Sequence, residues 1–499
     1  MSRGIAARLV AAMLAVAALL ALAMSFTEGI NDRPDLWRGP PDEYGHRSAA
    51  RHYVDHWLPP RLGEADTLDS YSRDYGLSYL NDPDPAYFMA GRFAALLSPL
   101  VPNHDRAFRL FNVALLAGLA VLCWRRPTGW LAFAPLLISP QIWYIFSYFN
   151  GDALALFLAV ILAYEIATPE SAFNRYLDDP GWRRGLAAAL GVAVLAGVLA
   201  LSKRNYLGFV AFLPAALALG RLGASSALLA GAAAIAAAAA WLHWVPPGAG
   251  TLSAAAAVTL IAALAAIFGP RATRRPRARA LAKLTLLAGV AATLVFSRYA
   301  LDVAINGTAE EKMKTEAALQ ERIAKPEYRS SQVFQAKDGK AAYYGLYLRA
   351  RGTPLKELFG PFWSWHTRTF STLTGSYGWL QFNSPKPYAI LLVAAYIALF
   401  GVYAGSVARS KDAGTVGSFV LVAAFCALTV AVSVYHSWNN DFQAQGRYLF
   451  PALGTLGFGW SYARRSIPSR AMAACVAACF LLSVYSFVFV GLTEVQKSF

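Results

Sequence analysis

Apolar residues in this 499-residue chain run in long unbroken blocks. They show neither the strict alternation of a half-buried strand nor the stripe of a soluble amphipathic helix. A membrane span needs about 20 apolar residues, and about thirteen blocks meet that rule with charged flanks. They begin near Leu9, Phe108, Trp130, Ala153, Leu186, Tyr206, Ala224, Ala254, Leu284, Tyr388, Val416, Tyr448 and Ala471. The pattern predicts an all-α polytopic integral membrane protein. The first block, Leu9 to Phe26, follows Arg3 and Arg8. It is read as a retained helix with its amino end in the cytoplasm, a cleaved signal peptide being the alternative.

The polar breaks set an orientation. Counting spans from a cytoplasmic amino terminus puts these groups on the inner side: Arg125 and Arg126; Arg183 and Arg184; Arg221; Arg271, Arg274, Arg275, Arg277, Arg279 and Lys283; Arg409 and Lys411; Arg464, Arg465 and Arg470. That is the bias expected of short cytoplasmic loops. Lys203 with Arg204 is the exception. Two long segments, Thr27 to Arg106 and Ser297 to Pro387, then fall on the outer face. Within the first, His46–Trp57 and Pro85–Leu97 are expected to form helices lying in the interface and roofing a cavity. Ala224 to Phe268 is nearly all Ala, Leu, Ile and Val, and reads as packing against helices and lipid.

Composition agrees with this picture. Hydrophobic residues make up 57% of the chain and charged residues 15%, with a mean hydropathy of +0.40, which excludes a soluble enzyme. The net charge of +16 resides in short clusters between apolar runs, which fits anionic lipid headgroups rather than nucleic acid. Cys123, Cys426, Cys475 and Cys479 all lie in apolar runs. They read as small core residues, with neither disulfide nor zinc-ligand spacing.

Candidate chemistry gathers in the polar breaks. Pro40-Pro41-Asp42-Glu43-Tyr44-Gly45-His46 places adjacent carboxylates just above the membrane after two turn-restricting prolines, suited to a general base. Helix capping by Asp42 is the competing reading. Asp82 and Asp84, in Asn81-Asp82-Pro83-Asp84-Pro85, offer a divalent cation or an acceptor sugar two carboxylates, though turn and cap duty accounts for them too. Asn150 and Asp152 stand at the head of the fourth span, where Asp152 can cap the helix, line a cavity, or both. Lys203 and Arg204 suit a lipid phosphate, with snorkelling as the alternative. In Gln443-Ala444-Gln445-Gly446-Arg447-Tyr448, the forked guanidinium of Arg447 suits phosphate or an interfacial position. His52 and His56 share a helix face but lack the Glu of a zinc-protease motif, and Asn306-Gly307-Thr308 is a lone sequon.

Together these features resemble the GT-C superfamily of membrane glycosyltransferases. The shared plan is a first helix, a long outer loop opening with an acidic pair, Asn150 and Asp152 heading the fourth span, and a basic residue after the fifth. Pro41-Asp42-Glu43 with His46, Gly375-Ser376-Tyr377-Gly378-Trp379-Leu380 and Gln445-Gly446-Arg447-Tyr448 are similar to a bacterial polytopic family allied to it. The resemblance divides the chain into a catalytic transmembrane module over 1–222, with the first outer loop at 27–106; Ala-rich helices and a basic cytoplasmic loop over 223–296; a second outer loop over 297–387; and C-terminal helices over 388–499. It implies a polyprenyl-phosphate sugar donor and an envelope glycan, lipid or protein as acceptor, in a bacterial inner membrane. It also implies Asp42 as base with Glu43 its competitor, and Lys203, Arg204 and Arg447 on the donor phosphate. His46, Asp82, Asp84, Asn150, Asp152 and Gln445 would touch substrate, with no dedicated metal ligands and a divalent cation as an option. The chain departs from better-known subfamilies in lacking a large soluble C-terminal domain. The rival classes are a transporter or flippase for lipid-linked saccharide, and a non-catalytic scaffold of envelope biosynthesis. No internal repeat supports the transporter, and the polar residues cluster at span ends rather than mid-membrane.

Overall fold

The computed structural model describes residues 3–27, 29, 39–244, 275–337 and 345–498. Apart from two two-residue strands, the regular elements among them are helices. Eight are long and apolar enough to cross a membrane: Gly4–Thr27, His104–Arg125, Gly151–Asp178, Arg204–Leu222, Arg279–Asn306, Lys386–Ala408, Ala413–Asn439 and Ser469–Lys497. This is the build of an all-α polytopic membrane protein.

The remaining expected spans differ in instructive ways. The block from Trp130 is a broken pair, Pro127–Leu137 and Pro140–Ser147, bent by 89°. Ser139 and Pro140 make the bend: the Ser139 hydroxyl caps the second helix by accepting from the Gln141 N–H at 3.2 Å, with proline at the first helical position. Every residue from Trp130 to Ser147 is buried, so its apolarity serves the protein interior rather than lipid. The block from Tyr448 yields the 12-residue helix Pro451–Tyr462, and Leu186–Leu201 has 16 residues. Both are short for a 30 Å hydrocarbon layer. The block from Ala224 forms helix Ala224–Trp244, whereas the expected span near Ala254, and Arg271 and Arg274, lie outside the described residues.

Small residues set the packing. On helix Arg3–Thr27, Ala6, Ala7, Ala11, Ala17, Ala18 and Ala21 are buried, and the helix packs along His104–Arg125. Lipid tails are as apolar as Leu, so close van der Waals approach between small side chains, rather than escape from water, holds such pairs. At the centre, Gly151–Ala167 runs beside Pro451–Tyr462. At Gly457 an added Cβ would come within 2.6 Å of the Ala132 carbonyl.

The two long connecting segments form one layer over an end of this bundle. In the first, helices Glu43–Asp55 and Pro85–Leu97 stand where helices were expected over His46–Trp57 and Pro85–Leu97, and they touch at Gly91, where a Cβ would lie 2.7 Å from the Ala50 carbonyl. Trp57, Leu58, Leu96 and Leu100 leave an exposed apolar edge. The second segment docks through helix Ala309–Ile323, started by a Thr308/Glu311 capping box. Lys312 Nζ donates to Asn81 O at 2.7 Å and to Asp302 Oδ2 at 2.8 Å. Asn306 of the sequon accepts from Leu62 N at 2.9 Å and donates to Asp302, so it staples the two segments.

The opposite end carries the basic clusters. Arg221 pairs with Asp178 and donates to Asn174, Lys283 Nζ donates to Tyr176 O and Asp179 O, and Arg464 pairs with Glu170 at 3.0 Å. All gather around the C-terminal end of helix Gly151–Ala167, whose first turn carries Asp152. At 1.5 Å per residue, those 17 residues separate the two ends by roughly 25 Å.

Candidate functional site

Asp42 and Arg447, 405 positions apart, meet in an ion pair, Arg447 Nη2 to Asp42 Oδ2, at 2.7 Å. Asp42 precedes helix Glu43–Asp55 with φ +61° and makes no side-chain cap, which removes the capping reading. A non-glycine residue in the left-handed region costs about 1–2 kcal/mol, and here that conformation accompanies a carboxylate turned to a guanidinium. The Asp42 side chain stays 29% exposed and that of Arg447 11%, so the carboxylate is open to a reactant. Arg447 is placed by its neighbour: Gly446 N donates to Thr372 Oγ1 at 2.7 Å, and any Cβ on Gly446 would collide with the Leu373 backbone. The Gln-Gly-Arg-Tyr sequence needs its glycine for this close approach.

Glu43, one residue on, has a different fate. Arg109 grips it with both prongs, Nε to Oε1 at 2.7 Å and Nη2 to Oε2 at 2.6 Å, and Phe149 N donates to Oε1 at 2.9 Å. Arg109 also donates to Ser25 O and Gly29 O. Both side chains are buried, at 1% and 3% exposure. Glu43 therefore ties the end of the first helix to the Phe149 turn, and of the adjacent pair only Asp42 offers an open carboxylate. Arg109 was missed in the sequence, although an arginine inside an apolar block is the signal that finds such residues.

Beside Asp42 lies a layer of rings. His46 Nδ1 bonds Tyr87 Oη at 2.9 Å, and its ring stacks on Tyr79 at 4.0 Å between centroids. Lys203 Nζ sits 4.8 Å from the Tyr79 centroid. Burial, then the charges of Lys203 and Arg447, hold the His46 pKa well below the ordinary histidine value, so the ring is neutral. Its Nε2 is buried without a partner. Tyr79 and Tyr87, also unanticipated, complete this wall.

The remaining acidic candidates separate. Asp84 caps helix Pro85–Leu97 through Oδ1, which accepts from Ala86 N at 3.0 Å, while Oδ2 is buried and unpartnered. Burial raises its carboxyl to about 7 against the opposing pull of Lys203. A Cβ on Gly151 would lie 2.6 Å from Asp84 Oδ2 and 2.8 Å from Lys203 Cε, so only glycine lets these groups close over the helix start. Asp82 instead pairs with Arg204 at 3.1 Å on the surface, the side chains 45% and 64% exposed. The Lys203-Arg204 pair thus divides, one cation turned inward and one outward. With Asp82 salt-bridged outside and Asp84 buried, the two do not form a cation site, and no cluster of three metal-ligating side chains occurs among the described residues.

Asn150, rather than Asp152, caps helix Gly151–Ala167: its Oδ1 accepts from Ala153 N at 3.1 Å, and its Nδ2 donates to Ile145 O and Tyr148 O. Its polar atoms are thereby spent on structure. Asp152 is buried with Oδ1 unpartnered. His52 and His56 stack on each other and bond to Leu58 O and His52 O, which uses them locally.

A cleft opens against Arg447, lined by Pro41, Gln141, Tyr144, Ile145, Tyr148, Thr372, Leu380, Gln445, Gly446 and Phe450. Leu380 belongs to the Gly-Ser-Tyr-Gly-Trp-Leu motif, which forms a hairpin pairing Ser376 with Asn383 and Tyr377 with Phe382. The cleft's free space of about 20 Å³ holds about one water. No protein-family model matches the chain, and no curated protein matches it.

Proposed function

We propose that the protein is a GT-C-type glycosyltransferase of a bacterial inner membrane. It moves a sugar from a polyprenyl-phosphate donor to an envelope glycan, lipid or protein. The amino terminus is cytoplasmic and the site periplasmic. The eight long spans, the bent pair and the short helices Leu186–Leu201, Ala224–Trp244 and Pro451–Tyr462 are twelve of the thirteen passes of this reading; the expected one near Ala254 lies outside the described residues.

The observation that carries it is the open Asp42 carboxylate paired with Arg447, a residue that lines a cleft at the end of the bundle remote from the basic clusters. Asp42 takes the proton of the acceptor hydroxyl as that oxygen attacks the anomeric carbon. The bond from that carbon to the phosphate oxygen breaks, and its electron pair leaves with the phosphate. Arg447 and Lys203 bear the charge that develops there. Arg447 reaches the phosphate through the edge of its guanidinium that Asp42 leaves free. His46, neutral and stacked on Tyr79, supplies a wall and one unused ring nitrogen. Arg204, partnered by Asp82 on the surface, stands at the rim of this arrangement.

The test is transfer of radiolabelled sugar from a polyprenyl-phosphate donor pool to envelope acceptors in proteoliposomes. Asp42→Asn is expected to lower the rate by about 10²–10⁴ at matched protein level. Equal rates remove Asp42 from the chemistry. Transfer by neither protein across a broad donor panel moves the weight to a lipid-linked saccharide transporter or a scaffold.

A further inference from the structure

The cleft holds two hydrogen-bond donors that nothing in the protein satisfies. Gln141 is 5% exposed, and its Nε2 is buried without a partner. Arg447 spends Nη2 on Asp42, while its Nε is likewise buried and unpartnered. Both residues line the same cleft. An amide NH2 and a guanidinium N–H can only donate, so the pair calls for an acceptor oxygen, and burying such donors unpaired opposes folding. The free space between the walls is the size of one water.

The two donors are also held by a common anchor. Ser139, at the bend, donates through Oγ to Leu373 O and accepts from Gln141 N at 3.2 Å. Gly446, next to Arg447, donates to Thr372 Oγ1 and packs flush on Leu373. The last turn of helix Trp365–Thr374 thus fixes the bend that carries Gln141 and the turn that carries Arg447. Groups fixed in advance lose little freedom when a ligand arrives.

We infer that Gln141, together with Arg447 Nε, forms a subsite for a phosphoryl oxygen of the lipid donor, on the edge of the guanidinium left free by Asp42. The inference rests on the glycosyltransferase reading and adds to it a neutral donor from the broken span. A neutral amide here adds a hydrogen bond without adding a cation to Arg447 and Lys203, so the departing phosphate is oriented without being held more tightly by charge.

The experiment measures binding of a long-chain polyprenyl monophosphate, and of the free polyprenol of the same length, to the full chain in phospholipid nanodiscs. Wild type, Gln141→Leu and Gln141→Glu are compared. The wild type is expected to prefer the phosphate to the alcohol. Gln141→Leu should reduce that preference about tenfold or more, as for loss of a hydrogen bond to a charged group, with binding of the alcohol unchanged. Gln141→Glu should reduce it further by setting a carboxylate beside the phosphate. Equal loss of phosphate and alcohol binding, or unchanged preference in both variants, overturns the inference and leaves the transferase reading standing. A wild type that binds the alcohol as well as the phosphate, with bilayer phospholipid filling the cleft, removes the lipid-phosphate donor and the subsite together.

Discussion

Asp42 and Glu43 are adjacent in sequence, yet the fold gives them opposite tasks. Glu43 neutralises the buried Arg109, and removing one partner of a buried ion pair costs about 3–5 kcal/mol because the other charge is stranded. Glu43→Gln is therefore expected to lower the melting temperature in detergent sharply while sparing transfer per folded molecule; a variant that kept its stability and lost transfer would reverse the two roles. Asp84 gives a second residue-scale prediction. Its carboxyl is raised to about 7 by burial, so the folded protein keeps a proton that the unfolded chain releases near pH 4. Its contribution to stability is full below that value and is lost as pH rises through 7. The melting temperature of the wild type should fall between pH 5 and 8 by a few degrees more than that of Asp84→Asn. Parallel pH profiles for the two proteins would show that Asp84 does not titrate in this window. Of these residues, the sequence offered the types but not the partners. Asp42–Arg447 spans 405 positions, and no local pattern encodes a contact at that distance. The same holds for Gln141, which is legible only as a polar residue within an apolar block.

At the scale of elements, the sequence located apolar blocks well and their geometry less well. Hydropathy reports composition, and a block buried inside the protein has the composition of one facing lipid. The block starting near Trp130 was accordingly counted as one span, whereas Ser139 and Pro140 break it. The clue was there, since Ser-Pro favours a helix start. The helices of the first long segment were legible because their mixture of apolar, aromatic and polar residues and the Asp84-Pro85 start are local signals. The hairpin at Ser376–Asn383 was not expected, since two-residue strands leave no periodic trace. One element junction can be tested alone. Gly446→Ala places a Cβ into the Leu373 backbone, so the Arg447 turn must shift from helix Trp365–Thr374. Transfer should fall by at least about tenfold, as expected when a binding group is misplaced by about 1 Å. Gly401→Ala, at a helical glycine with nothing within 4 Å of its Cβ, should leave transfer unchanged. Equal effects of the two substitutions would show that contact with Leu373 does not position Arg447.

At the scale of the whole molecule, the distribution of charge between the two ends predicts which side each faces. The basic clusters Arg221, Lys283 and Arg464 close around residues 165–185 at one end of helix Gly151–Ala167, while Asp42, Lys203 and Arg447 meet the two long segments at the other. Short loops rich in Lys and Arg stay in the cytoplasm because translocating them is unfavourable, which predicts the Asp42 end outside. Lys203 and Arg204 depart from that bias, and the fold accounts for both: Arg204 is paired with Asp82, and Lys203 lies over Tyr79 beside Asp84. The prediction is checked by cysteine labelling in intact spheroplasts, in a background where the four native cysteines are replaced. Asp69→Cys, exposed on the first long segment, should react with a membrane-impermeant maleimide, and Pro180→Cys, exposed between the basic clusters, should react only after permeabilisation. The converse pattern would put Asp42 in the cytoplasm, where nucleotide sugars are available as donors too, and the site would no longer require a polyprenyl carrier.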